Sequence, residues 1–516
     1  MTKQKMNGAE SLVHTLVVHG LKVCFANPGT SEMHFVAALD RIPGMRCIPG
    51  LQENVVTGMA DGYGRVSRAP AVTLLHCGPG LANGLSNIHN CKRAGAPMVN
   101  IVGDQATYHK PFDPPLAQDT QALAKTVSSF VKTSRKASQV GRDAARTIQA
   151  ARSFPGHIAT LILPSDASWN DGGKVAQPMS AIRPPKISRD AVRKAANILR
   201  KKGNVLLLLG GNAVWAAPQI HAAAIQAKTN CRVMAECFNG LHQRGAGRLP
   251  LLRVPYPALM AIEALKDVEH IITVCAQAPL GFFAYPGVPS FHHPDNAKVH
   301  ALCDVSQNAE EALAALVDEL NALPVAMPSF ARPDSPKGLP SSAGIGQMLA
   351  AVMPDHAIVA DESISLGGEF LPHSLGAAPH DWMMVTGGAI GYGMPCATGA
   401  AVAGGGRRVI NMQADGSAMY TIQALWTQAR EKLPVTTVIL SNRKYQILIA
   451  EYGNVGANPG PTAMNMLDLG NPDLDFVKIA NGMGVEAAKT STLEDCAALM
   501  QQSFKRTGPF LIELEI

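Results

Sequence analysis

The apolar run RVINMQAD (408–415) ends in Asp415 and is followed by Gly416 and Ser417; a second run, VTTVILSN (435–442), ends in Asn442, 27 residues further on. If the two runs are neighbouring parallel strands joined by a helix, a right-handed crossover sets their ends side by side at the carboxyl edge of one sheet. Asp415 and Asn442 then aim two hard oxygens at one point, which suits Mg²⁺ or Ca²⁺. Gly416 allows close backbone approach, and Ser417 with the start of the next helix can hold a phosphate. A lone Asp-Gly-Ser is more often a plain helix cap, but a cap does not explain the polar Asn442 at the end of the second run. Glu53 follows a turn and opens ENVVTGMADGYG, a helix of small residues, where the helix dipole alone would favour a carboxylate. His76 ends VTLLH (72–76), the position where α/β enzymes place ligands, although a lone histidine there is commonly structural.

Such groups need a scaffold that delivers many strand ends to one edge. Short apolar runs alternate with helical patterns along the chain: VTLLH (72–76), MVNIVGD (98–104), IATLILP (158–164), NVLLLLGG (204–211), HIITVCA (270–276), AIVADES (357–363), and the two runs above. Nearly continuous apolar runs ending in Gly, Asp or Asn are how parallel strands read when helices cover both faces. The fold class is therefore α/β with doubly wound parallel sheets. Stretches rich in Pro, Ser and Gly at 166–190 and 323–342 divide the chain into three blocks, 1–170, 190–322 and 340–516.

In this order along the chain, the pieces resemble the thiamine-diphosphate-dependent enzymes, closest to the acetolactate synthase and benzoylformate decarboxylase branch, over most of the sequence. The segment 408–448 is similar to the family's metal motif, Gly-Asp-Gly then Asn-Asn, with Ala414 in place of the first Gly and Ser441 in place of the first Asn. The resemblance implies Asp415, Asn442 and the carbonyl of Lys444 as metal ligands, with thiamine diphosphate and Mg²⁺ (or Ca²⁺) as cofactors. It also implies that Glu53 is the carboxylate bonded to N1′ of the cofactor's aminopyrimidine, which promotes proton loss from thiazolium C2. CGPGLAN (77–83) resembles a loop beside the pyrimidine, with Asn83 at the matching place. TGGAIGYGMPCATGA (386–400) resembles the loop that bends the cofactor, with Ile390 beneath the bend and the Gly388 carbonyl toward the 4′-amino group. DESISLGGEF (361–370) resembles a diphosphate-side loop with Ser365 as its hydroxyl. His76 and Thr30, the latter in NPGT (27–30), match catalytic and substrate-contacting positions of the benzoylformate decarboxylase group. The three blocks become pyrimidine-binding, central and diphosphate-binding domains. The cofactor would lie between subunits of a homodimer or homotetramer.

The implied reaction is benzoylformate decarboxylase-like decarboxylation of a small-molecule 2-keto acid substrate, with carboligation onto an aldehyde as a further activity. An acetolactate synthase-type transferase and a non-catalytic, cofactor-binding or regulatory homologue remain as alternatives. APLGFFAYPG (278–287) presents Phe282 and Phe283 where benzoylformate decarboxylase has a second histidine. ILIAEYG (447–453) lacks the Gln-Trp pair of biosynthetic acetolactate synthases, and His109 and Asp113 receive no role. No dinucleotide fingerprint stands in 190–322, so FAD is not expected.

Over 516 residues the charge is only +6, and no basic block interleaved with aromatics appears, so nucleic acid is not an expected partner. No apolar run is long enough to span a membrane, and the amino-terminal residues show helical spacing instead of a signal-peptide core. Ten cysteines without CxxC or zinc spacing read as buried reduced thiols, and with the rest point to the cytoplasm.

Overall fold

The computed structural model describes residues 5–201 and 203–516, so the first four residues of the N-terminal block lie outside it. Strands β1 (Val23–Asn27), β2 (Arg46–Pro49), β3 (Ala71–Leu75), β4 (Met98–Asp104), β5 (Phe130–Thr133) and β6 (Ile158–Pro164) form one parallel sheet in the order β2-β1-β3-β4-β6-β5. β3, β4 and β6 are buried along their whole length, as strands covered on both faces must be. A second parallel sheet, β11-β10-β7-β8, is built from β7 (Val205–Leu209), β8 (Arg232–Ala235), β10 (His270–Val274) and β11 (Lys298–Cys303). The third holds β12 (Ile358–Glu362), β13 (His380–Met384), β14 (Val409–Ala414), β15 (Val435–Ser441), β16 (Glu486–Thr490) and β17 (Phe510–Glu515). All eight apolar runs read as strands from the sequence are strands.

One edge departs from that reading. A three-residue strand of the central segment, β9 (His242–Arg244), pairs antiparallel with β13 and completes the third sheet at seven strands. It is not an exposed edge: His242 and Arg244 are buried, and the Arg244 guanidinium donates to the Leu371 carbonyl at 2.6 Å. Asp381 anchors it, accepting from the Gln243 amide at 3.0 Å while pairing with Arg407 at 2.7 Å.

By contacts the chain forms two units. The first comprises residues up to Arg183 with Val385–Gly406 and Tyr420–Leu433; the second comprises the remainder. Within the first, the small-residue helix Glu53–Ser67 packs against the helix Gly393–Ala403 at backbone range. A Cβ on Gly62 would lie 2.7 Å from the Cys396 carbonyl carbon, and one on Gly399 would lie 2.6 Å from that of Met59. Small residues are what permit that approach. A fully buried ion pair, Asp61–Arg65 at 2.6 Å, ties the same helix to Tyr392 (3.1 Å) and Thr386 (3.2 Å).

Candidate functional site

In the first unit, β1 and β3 are neighbours, and their carboxyl ends bring residues 29–32 against His76. Glu32 is 2% exposed, yet its carboxylate is well supported. It accepts from the Gly29 N–H at 2.8 Å and meets His76 Nδ1 at 2.9 Å; the Ser31 hydroxyl also bonds to it. Ser31 Oγ lies 3.2 Å from both His76 Nδ1 and Cys77 Sγ. Gly29 is required here, because the His76 ring occupies the space a side chain would need. His76 itself keeps about a fifth of its side chain exposed, 22% against 1% for Glu32, so the ring spans from a buried acid to the surface.

The donor atoms of Glu32, His76 and Cys77 fall within 4.8 Å of one another, a spacing that could hold a metal. The thiol argues against it. Burial, with lesser contributions from the charges of Glu32 and Asp104, pushes Cys77 up to about 11, so a metal would first have to displace the thiol proton. The cluster is better suited to passing protons. Thr30, expected from the sequence to contact substrate, is exposed at the start of this turn, and the hydroxyl that reaches His76 is that of Ser31. Glu32, Ser31 and Cys77 were not identified from the sequence, although NPGTSE already carries a hydroxyl and an acid side by side.

Glu53 is the first residue of its helix, capped by Gln52, whose side chain accepts from the N–H groups of Asn54 and Val55. The Glu53 carboxylate accepts from Asn83 Nδ2 at 3.1 Å. CGPGLAN, expected as a loop, is instead the first two turns of the helix Cys77–Ala94. Pro79 is tolerated in a first turn, where its missing N–H costs nothing. Gly80 lets Glu53 and His76 share one face: a Cβ there would stand 3.0 Å from Glu53 Oε1 and 3.3 Å from His76 Cβ.

The same helix fixes the segment that carries Gly388 and Ile390. His89 Nε2 meets the Gly387 carbonyl at 3.2 Å, and the Asn90 amide grips Ala389 through both its carbonyl (2.8 Å) and its N–H (3.3 Å). The carbonyls on either side of Gly388 are thus engaged by protein, and Gly388 takes a left-handed φ of 73°.

In the second unit, β14 and β15 run parallel and adjacent, so Asp415 and Asn442 do emerge side by side. Asp415 is 3% exposed; one oxygen accepts from the Gly416 N–H (2.8 Å) and the other from the Arg443 N–H (2.6 Å). Burial pushes its carboxyl up, against the backbone donors of Arg443, Gly416 and Asn442. Asn442 Oδ1 accepts from the Lys444 N–H at 3.1 Å, and the Lys444 carbonyl accepts from Gln446 at 3.0 Å. The Ser417 hydroxyl is turned inward. It donates to the Ala414 carbonyl and accepts from Gln413, which leaves only its backbone for an outside phosphate. Ser365 is exposed on the turn after β12. Three of these strand ends are turned by non-glycine residues in the left-handed region: Cys77 (53°), Ile364 (51°) and Arg443 (57°). Strain of this kind gathers at functional sites.

A divalent metal and a diphosphate fit this second cluster by their chemistry. One buried carboxylate, a side-chain amide and a backbone carbonyl form an all-oxygen donor set. Gly416 provides the cradle, since a Cβ there would run into the Tyr445 ring.

Comparison with known proteins identifies the family. Residues 6–127 match the family described as "Thiamine pyrophosphate enzyme, N-terminal TPP binding domain", and residues 373–514 match its C-terminal TPP binding domain. The chain is 47% identical over 519 residues to "Putative acetolactate synthase large subunit IlvX" of Mycobacterium tuberculosis, covering 99% of each protein. It is 29% identical over 529 residues to benzoylformate decarboxylase of Pseudomonas aeruginosa, covering 96% of each. In fold it resembles the thiamine diphosphate-dependent 4-hydroxybenzoylformate decarboxylase of Rhodococcus jostii RHA1, with a TM-score of 0.85, 24% identity and 99% of each chain covered.

Proposed function

Given that the chain belongs to the thiamine pyrophosphate enzyme family, we propose that it is a Mg²⁺-dependent, benzoylformate decarboxylase-like 2-keto acid decarboxylase, with carboligation onto an aldehyde as a second outcome. Asp415, Asn442 and the Lys444 carbonyl would hold the metal, with the backbone about Gly416 and Ser417 and the Ser365 hydroxyl on the diphosphate. Glu53, assisted by Asn83, would face the aminopyrimidine, and Gly388 and Ile390 would shape its seat. When bound, the cofactor supplies the electron sink for cleavage beside a carbonyl. The protein's own part is to position, to exclude water and to move protons.

The observation that carries the decarboxylase reading is the Glu32–His76 pair. With Nδ1–H donating to a buried carboxylate, the ring is held in one tautomer, and Nε2 is left to take or give a proton. Decarboxylation followed by protonation needs such a group; joining two keto acids needs a second binding site more than a proton source. The Ser31 hydroxyl beside Nδ1 would extend the relay, and Thr30, exposed on the same turn, would contact substrate.

A transferase that condenses two 2-keto acids is the second reading, favoured by the name carried by the 47%-identical mycobacterial relative. Product analysis separates the two. On a panel of aromatic, branched and short 2-keto acids, the decarboxylase releases CO₂ and aldehyde in equal amounts. Acetolactate from pyruvate alone, without free aldehyde, would establish the transferase instead. A non-catalytic homologue would give neither product while still binding cofactor. Asp415→Ala should abolish Mg²⁺-dependent cofactor binding, and unchanged binding would show the metal site to be misplaced. We place the active assembly as a homodimer or homotetramer with each cofactor shared between subunits, in the cytoplasm. Among the described residues, no helix is long and apolar enough to cross a membrane.

A further inference from the structure

A groove of about 470 Å³ lies at the amino-terminal edge of the central four-stranded sheet, the edge opposite the strands' carboxyl ends. The helix Arg189–Arg200 forms one wall, and the first residues of β10 and β11 form the other. Six basic groups line it: Arg193, Lys194, Lys201, Lys298, His270 and His300. We propose that this groove binds a small, multiply charged phosphate compound, at a site separate from the cofactor's.

Charge balance is the first argument. Asp190 is the only acid in the lining; it is 92% exposed and reaches no nearer than 3.7 Å to Arg193. Glu269 precedes His270 but turns toward Gly203, where its Oε2 would stand 2.8 Å from an added Cβ. Among the described residues, Lys194, Lys201 and Lys298 therefore face the groove with no carboxylate at ion-pair distance. Converging cations in a concavity raise the local concentration of anions. A carboxylate would offset one of these charges, whereas each terminal phosphate offsets about 1.5–2.

The histidines are the second argument. His270 and His300 stand on adjacent strands with ring centroids 5.4 Å apart and Nδ1 to Nε2 at 3.2 Å. The remaining ring nitrogen of His300, Nδ1, is buried without a partner. Two imidazoles so placed could chelate a metal, but the surrounding lysines repel a cation and attract an anion. Burial first, and then the charges of Lys194, His270 and Lys298, hold His300 below its ordinary value. A bound anion opposes the three charge effects and so favours protonation. Binding therefore takes up protons and tightens as pH falls toward the histidine range.

The test is calorimetric titration of the cofactor-loaded holoenzyme, desalted of free Mg²⁺, with inorganic pyrophosphate and tripolyphosphate at low salt. Loading fills the cofactor's own diphosphate site, so failure of the proposed function and failure of this groove are distinguishable. We expect one saturable event per chain, weakened at least tenfold in the double variant Lys194→Glu/Lys298→Glu, with melting temperature and cofactor content unchanged. Because the ligand also gains protons over this range, the histidine effect is read as a difference: parental affinity relative to that of His300→Gln should rise several-fold from pH 8 to pH 6, and an unchanged ratio would overturn the histidine argument. No saturable heat, equal affinity in the double variant, or equal competition by chloride at matched ionic strength would each overturn the proposal.

Discussion

Gly416→Ala is the substitution whose effect can be worked most directly from the coordinates. A Cβ at this position would stand 2.8 Å from Tyr445 Cδ1 and 3.2 Å from Cζ, with Cε1 nearer still. Carbon atoms rest at about 3.5–4.0 Å, so the nearest ring atom must withdraw by more than about 1 Å. The ring can turn about its own side-chain bonds, but its main chain is tied by the N–H bond to the Leu467 carbonyl at 2.9 Å, so the part of the clash that the ring does not relieve is taken up by its neighbours. The displacement passes to Lys444 and Asn442, and both shift against Asp415, which is gripped by Gly416 and Arg443. A metal site tolerates only about ±0.2 Å. The expected loss is about 10–100-fold in Mg²⁺-dependent cofactor affinity, or roughly 1.4–2.8 kcal/mol. Ca²⁺, with longer and more variable ligand distances, should lose less. Cofactor binding followed by protein fluorescence across a Mg²⁺ titration measures this, and a melting curve guards against the ~1–3 kcal/mol that overpacking can cost. Adding Tyr445→Ala should recover part of the affinity, giving a coupling energy between the two positions. Parental affinity and Mg²⁺ dependence in Gly416→Ala would refute the argument that this glycine and ring set the metal geometry.

Other expectations follow from the same coordinates. Glu53→Gln should slow hydrogen–deuterium exchange at C2 of the bound cofactor by about 10²–10⁴ while lowering cofactor affinity less; equal exchange in parent and variant would remove Glu53 as activator. His76→Ala should lose a factor of about 10²–10⁴ in kcat on the true substrate. Glu32→Gln should lose a smaller factor of about 10–100, as expected for a group that orients a catalytic ring; a loss in His76→Ala without any loss or change of pH profile in Glu32→Gln would separate the two residues. Burial pushes the carboxyl of Glu236 up from 4.5 to about 7. A raised carboxyl favours the protonated fold, so the penalty of ionising it appears between pH 4.5 and about 7 and persists above. Glu236→Gln should therefore stabilise the protein at pH 8 by up to about 3 kcal/mol and leave it unchanged at pH 4.5, read as paired melting curves.

Much of this architecture was legible in one dimension. The eight apolar runs are strands because a segment covered on both faces must be apolar throughout, a requirement that composition alone displays. Asp415 and Asn442 were readable for a related reason: a parallel crossover returns the chain to the same edge, so sequence separation predicts adjacency. The failures are as physical. CGPGLAN looked like a loop because glycine and proline punctuate turns, whereas here they serve a helix that must pass close to Glu53. β9 was invisible because three polar residues at a sheet edge carry no periodic signal.

What the sequence determined by itself was therefore the set of layers and the positions where the chain reverses, since burial and turn chemistry act within a few residues. Beyond the consecutive strands that carry Asp415 and Asn442, only the tertiary structure decided which reversals meet. Glu32 and His76 are 44 residues apart and touch because β1 lies beside β3. The six basic groups of the groove are scattered from Arg193 to His300, and only the packing of one helix across two strand starts collects them. Local patterns record whether a residue is buried; they hold no record of its neighbour, because that contact is set by strand order, which hydrophobic periodicity leaves unspecified.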